Sequence, residues 1–140
     1  MVRLFLRHPL FRQFVRFCIV GTTNFLLDIG IYFVLTRGAQ LHFLLANGIA
    51  FILVVSWSYY WNKRWTFRDS TRMHLAQYAR FVVVVLVGLG LAEGGLWVLV
   101  QQLNMFDLFA KFVIGIVIAF WNFGMNRAWT FAAIDTTARV

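Results

Sequence analysis

Four polar residues stand inside stretches that are otherwise almost wholly apolar: Asp28, Asn47, Glu93 and Lys111. A carboxylate deep in a membrane-spanning helix costs at least ~2.5–3.5 kcal/mol, so such residues call for partners or a function. Two acids, an amide and an ammonium can shelter hydroxyl groups; they hold no nucleophile–base pair for covalent catalysis. A second set is written twice. Asn62-Lys63-Arg64-Trp65-Thr66-Phe67 returns sixty-four residues later as Asn126-Arg127-Ala128-Trp129-Thr130-Phe131. Guanidinium forks, an ammonium and amide donors suit phosphate oxygens. Asn62, Lys63, Arg64, Asn126 and Arg127 are therefore the candidate phosphate-binding residues. Trp61, Trp65, Trp121 and Trp129 suit the headgroup level of a bilayer, and a membrane interface alone accounts for much of this mixture.

No other chemistry competes. The single cysteine, Cys18, excludes an internal disulfide, and His8, His42 and His74 stand in separate segments without ligand spacing. Neither a metal nor a cofactor is expected, no P-loop is present, and no residue is assigned a catalytic role.

Hydrophobic residues make up 61% of the 140-residue chain and charged residues 13%. A soluble domain carries about 25% charged residues, so lipid is the natural solvent. The net charge of +8 then reports topology and contact with anionic lipid, not nucleic acid. Arginines precede the first apolar run as in a signal peptide, but that run is long, contains Asp28 and lacks a small-residue cleavage pattern, so it is expected to stay.

The residues above must be positioned by four spans, about 14–35, 42–61, 78–100 and 106–125, each near the ~20 residues a hydrocarbon core needs. All thirteen cations except Arg37 and Lys111 fall on one side of these spans. The positive-inside rule places both termini and the middle loop in the cytoplasm. The expected class is an all-α integral membrane protein of four transmembrane helices.

The repetition extends beyond the motif. At the same offset Gln13-Phe14-Val15-Arg16-Phe17 matches Gln77-Tyr78-Ala79-Arg80-Phe81, Ala46 matches Ala110 and Trp57 matches Trp121. Two parallel two-helix repeats follow, about 14–67 and 78–131, within one membrane domain. Counted at 1.5 Å per residue from the cytoplasmic ends, Asp28, Glu93, Asn47 and Lys111 lie ~18–22 Å deep. They are expected to share one polar layer, with Glu93 and Lys111 as an ion pair; Asp107 offers Lys111 an alternative one turn away. The GxxxG of Gly90 to Gly94, with Gly88 and Gly95 beside it, allows close helix approach.

Arg16-Phe17 followed by Val20-Gly21, the four-span body, and the ending Asn122-Phe123, Asn126-Arg127, Trp129-Thr130-Phe131 resemble GtrA-like membrane proteins. Ser58-Tyr59 departs from the pattern where the second copy has Asn122-Phe123. The resemblance implies a bacterial inner (cytoplasmic) membrane protein that flips polyprenyl-phosphate-linked sugar for cell-surface polysaccharide synthesis or modification. Two other classes remain open: a small proton-coupled exporter of cationic drugs, and a non-transporting anchor or assembly partner of a membrane glycosyltransferase. Anionic lipid is an expected partner. Four helices enclose little space, so a homodimer is open too.

Overall fold

The structure, a computed structural model, describes residues 8–132 apart from the side chains of Phe43, Leu44, Asp107 and Leu108. Arg3, Arg7 and Arg139, used above for orientation, and the side chain of Asp107 lie outside it. Four helices make up the fold: α1 (Pro9–Phe33), α2 (Phe43–Trp61), α3 (Leu75–Trp97) and α4 (Asp107–Met125). No strand occurs among the described residues. With their terminal turns, α1, α3 and α4 are long and apolar enough to cross a membrane. Helix α2 carries Asn47 in its first half and ends in the hydroxyl- and aromatic-rich run 56–61.

The chain divides into two compact units, Met1–Ser70 and Thr71–Val140. In the first, α1 packs on α2; in the second, α3 packs on α4. Each unit is a hairpin with a turn end and an open end, where the first helix starts and the second finishes.

Both entry helices begin after a histidine in extended backbone, His8 or His74. Pro9 occupies the first turn of α1, where its missing N–H would have had no partner and its fixed φ suits the helix. Helix α1 therefore starts before Phe14, and α3 before Tyr78, bringing Arg12 and Gln77 into helix.

All four helices finish in a π-helical turn: Val34–Gly38, Asn62–Thr66, Val98–Gln102 and Asn126–Thr130. The closing bonds run five residues back, Ala39 N to Val34 O, Phe67 N to Asn62 O, Leu103 N to Val98 O and Phe131 N to Asn126 O, at 2.8–3.1 Å. After three of these turns a residue takes left-handed backbone: Gln40 (φ 53°), Arg68 (φ 53°) and Asn104 (φ 50°). Single π turns often mark functional sites. Here they occur at both ends of both hairpins, so they are first a way of ending helices.

Small residues set the helix spacing. Ala46 and Ala110, equivalent in the repeat, are fully buried. A Cβ on Gly88 would fall 2.8 Å from Asn122 Oδ1, and one on Gly95 2.6 Å from Ile114 Cδ1. Gly90 and Gly94 have nothing within 4 Å of that position. The GxxxG pair thus faces away from its own hairpin, and Gly88 and Gly95 make the close approach.

Candidate functional site

The repeated motif forms the last turn of each returning helix. Its asparagine opens the π turn and its phenylalanine closes it. Phe67 and Phe131 are buried and fold back onto the entry helix, with ring centroids 6.5 Å from Phe17 and 6.4 Å from Phe81. Asn62, Thr66, Asn126 and Thr130 are buried as well. In unit two, Asn126 Nδ2 donates to Asn122 O at 2.8 Å, and Thr130 Oγ1 donates to Asn126 Oδ1 at 2.8 Å. Asn62 and Asn126, expected as phosphate donors, thus lie inside their hairpins.

Lys63 has another partner too. Its ammonium lies 2.6 Å from Asp69 Oδ2, and neither side chain is exposed. Arg68 makes this geometry. Its left-handed backbone turns the chain back, so that Asp69 N–H also donates to Lys63 O at 2.8 Å. Lys63, expected as a phosphate ligand, is held by an internal carboxylate. Asp69 escaped the sequence reading because it lies past the helix end, outside any helical spacing.

Arg64 and Arg127 remain exposed. Beside them each hairpin stacks an entering arginine on a departing tryptophan. Arg16 Cζ lies 5.7 Å from the Trp65 ring centroid and Arg80 Cζ 5.9 Å from that of Trp129. Arg16 Nη1 also donates to Trp65 O at 3.3 Å. Such stacking contributes about 0.5–1 kcal/mol at exposed positions. It holds a guanidinium over an aromatic face while leaving N–H donors for another partner. Each open end therefore presents two arginines and a tryptophan, a set that can hold a phosphate beside a stacking surface.

A polar contact joins α1 to α2 further in. Asn24 Nδ2 donates to Ser58 Oγ at 2.8 Å, and Asn62 Nδ2 reaches the same oxygen at 3.2 Å. The repeat equivalents of Asn24 and Ser58 are Gly88 and Asn122, so the amide comes from the opposite helix in unit two. This exchange explains the departure at Ser58: the amide is kept and changes sides. Only alignment of Asn24 with Gly88 at the repeat offset could have revealed it.

The deep polar residues are staggered. Gly88 opposes Asn122 and Gly95 opposes Ile114, which puts Lys111 near the level of Val98 and Glu93 about five residues, ~7 Å, closer to the open end. Glu93 and Lys111 are exposed and form no ion pair with one another. In unit one, the Asn24–Ser58 contact similarly sets Asn47 near Leu35, well beyond half-buried Asp28. The single-layer expectation took Arg80 as level with Asn126, whereas Arg80 lies level with Trp129.

Residues 16–131 match the GtrA/DPMS transmembrane domain, and the chain belongs to this family. It is similar to an uncharacterized membrane protein, YngA, of Bacillus subtilis (strain 168): 31% identical over 116 residues, covering 83% of this chain and 77% of the relative. It is thus a membrane protein linked to the handling of lipid-linked sugars, in a family that is generally non-catalytic.

Proposed function

We propose that this protein moves polyprenyl-phosphate-linked sugar across the bacterial inner (cytoplasmic) membrane, for cell-surface polysaccharide synthesis or modification, without covalent chemistry of its own. The chain crosses four times with both termini cytoplasmic, which brings the arginine-rich open ends to the cytoplasmic surface, following the positive-inside rule. The observation that carries the reading is the pairing of arginine and tryptophan at each open end, Arg16 with Trp65 and Arg80 with Trp129. At each open end the motif's exposed arginine, Arg64 in unit one and Arg127 in unit two, would add a second guanidinium for a phosphate. Asp28 and, beyond it, Asn47 in unit one, and Glu93 and, beyond it, Lys111 in unit two, would offer the sugar hydroxyls staggered polar partners along each hairpin. The prenyl chain stays in apolar surroundings.

The test is transfer of a labelled lipid-linked sugar in vesicles containing the purified protein. Arg64→Ala and Arg127→Ala should each slow transfer about tenfold or more, since hydrogen bonds to charged groups contribute ~1.5–3 kcal/mol. Transfer at the unmodified rate in the double variant, with normal protein levels, would reject the assignment.

A further inference from the structure

The two hairpins differ in how a matched tryptophan is stored. In unit two, Gly88 leaves room for α4 to approach: Trp121 Cδ1 would lie only 3.2 Å from a Cβ there. Trp121 is half-buried and its Nε1 donates to Val84 O at 3.4 Å. In unit one Asn24 takes the glycine's place and its amide fills the gap against Ser58. Trp57, the counterpart of Trp121, turns outward onto Trp61 with ring centroids 5.5 Å apart and is 42% exposed.

An apolar groove opens beside Trp57. Its two stretches, about 680 and 230 Å³, share Thr23 and Trp57 as walls. The larger runs over Leu27, Gly30 and Val34 to Leu35; the smaller is closed by Ile19, Trp61 and Trp65 at the open end. The larger stretch lies within the ~300–1,000 Å³ of small-molecule sites, and the smaller falls just below it. From Ile19 to Leu35 the groove follows sixteen residues of helix, ~24 Å. Half of a ~30 Å hydrocarbon core is only ~15 Å. The groove thus outruns a single leaflet, and its open end carries Arg16 over the Trp65 ring.

We propose that this groove binds the single long isoprenoid chain of a phosphate-headed lipid, with the phosphate at Arg16 and Arg64 and the chain running from Trp65 past Trp57 to Leu35. This rests on the lipid-linked-sugar reading above and adds that the first repeat alone carries the chain. An ordinary diacyl phospholipid has chains that stop at mid-bilayer and leaves the Gly30–Leu35 half empty.

The test uses the full chain in phosphatidylcholine–phosphatidylglycerol vesicles with a photoreactive polyisoprenyl phosphate longer than one leaflet. Label is expected on residues 19–35 and 57–65 at tenfold or more over their equivalents 83–99 and 121–129. Unlabelled polyisoprenyl phosphate should compete, and added phosphatidylglycerol should not. Gly30 offers a direct block, because a Cβ there meets nothing within 4 Å. Gly30→Leu fills the groove without a clash and should cut labelling at least tenfold. Gly94→Leu, equally unobstructed in unit two, should leave it within twofold. Equal labelling of both repeats, competition by phosphatidylglycerol, insensitivity to Gly30→Leu, or crosslinking of this face to a second copy of the chain would each overturn the proposal. If Gly30→Leu does not fold, the labelling map and the competition decide alone. Mapped label without sugar transfer removes the translocation reading and keeps the groove; transfer without repeat-one label does the reverse.

Discussion

Where α2 ends, the Lys63 ammonium lies 2.6 Å from the Asp69 carboxylate, and both side chains are wholly enclosed. Removing one partner from such a pair leaves a charge stranded away from water, at a cost of about 3–5 kcal/mol. Asp69→Ala should therefore lower the midpoint of unfolding in detergent sharply. A Lys63→Met/Asp69→Leu double variant should recover most of that loss, because neither charge remains to be solvated. Equal losses in the single and double variants would show that the pair is not what holds this turn.

The same enclosure separates stability from binding among the basic residues. Lys63→Met should lower stability and protein yield, while Arg64→Ala, at an exposed position, should leave the unfolding midpoint nearly unchanged and weaken phosphate-lipid binding. Equilibrium binding alongside thermal unfolding resolves the two. A Lys63→Met protein of normal stability that fails to bind would reverse this division of roles.

Gly88 and Asn122 form a matched pair, with only 2.8 Å between a Cβ at Gly88 and Asn122 Oδ1. Gly88→Ala should cost about 1–3 kcal/mol through overpacking. Adding Asn122→Ser, the residue unit one uses opposite its own amide, should return much of it. A double-mutant cycle measures this coupling, and additive effects would contradict the contact.

For Glu93 and Lys111 the expectation is the absence of coupling. Their stagger of ~7 Å along the hairpin implies that Glu93→Gln and Lys111→Gln act additively within ~0.5 kcal/mol on stability. A larger interaction energy would mean that the two charges meet.

Much of this architecture is legible in the residues. The repeated Trp-Thr-Phe marks both exits, and the offset that aligns Arg16 with Arg80 and Ala46 with Ala110 outlines two hairpins. Interhelical register is not legible, because periodicity along one helix says nothing about its height beside another. That is why Glu93 and Lys111 were expected at one level. Ring stacking of Arg80 on Trp129 and contact of Gly88 with Asn122 set the height instead. Asp69 was hidden for a different reason: Arg68 in left-handed backbone folds it back onto Lys63, a geometry that no spacing rule describes. Nor did the motif's polarity reveal its burial. Asparagine and threonine beside arginine read as a surface, yet Asn62, Thr66, Asn126 and Thr130 face inward and Arg64 and Arg127 face out.

The π turns have a consequence for how the chain is made. Each hairpin has its own histidine-led start, its own widened stops and its own phenylalanine clasp. Once Ser70 has left the ribosome, the first pair of helices has every terminator it needs, and no end of either helix waits on residues of the second pair. The second pair then repeats the same schedule. Duplication thus supplied the chain with a twice-used programme of biosynthesis, in which half a protein is already a finished piece.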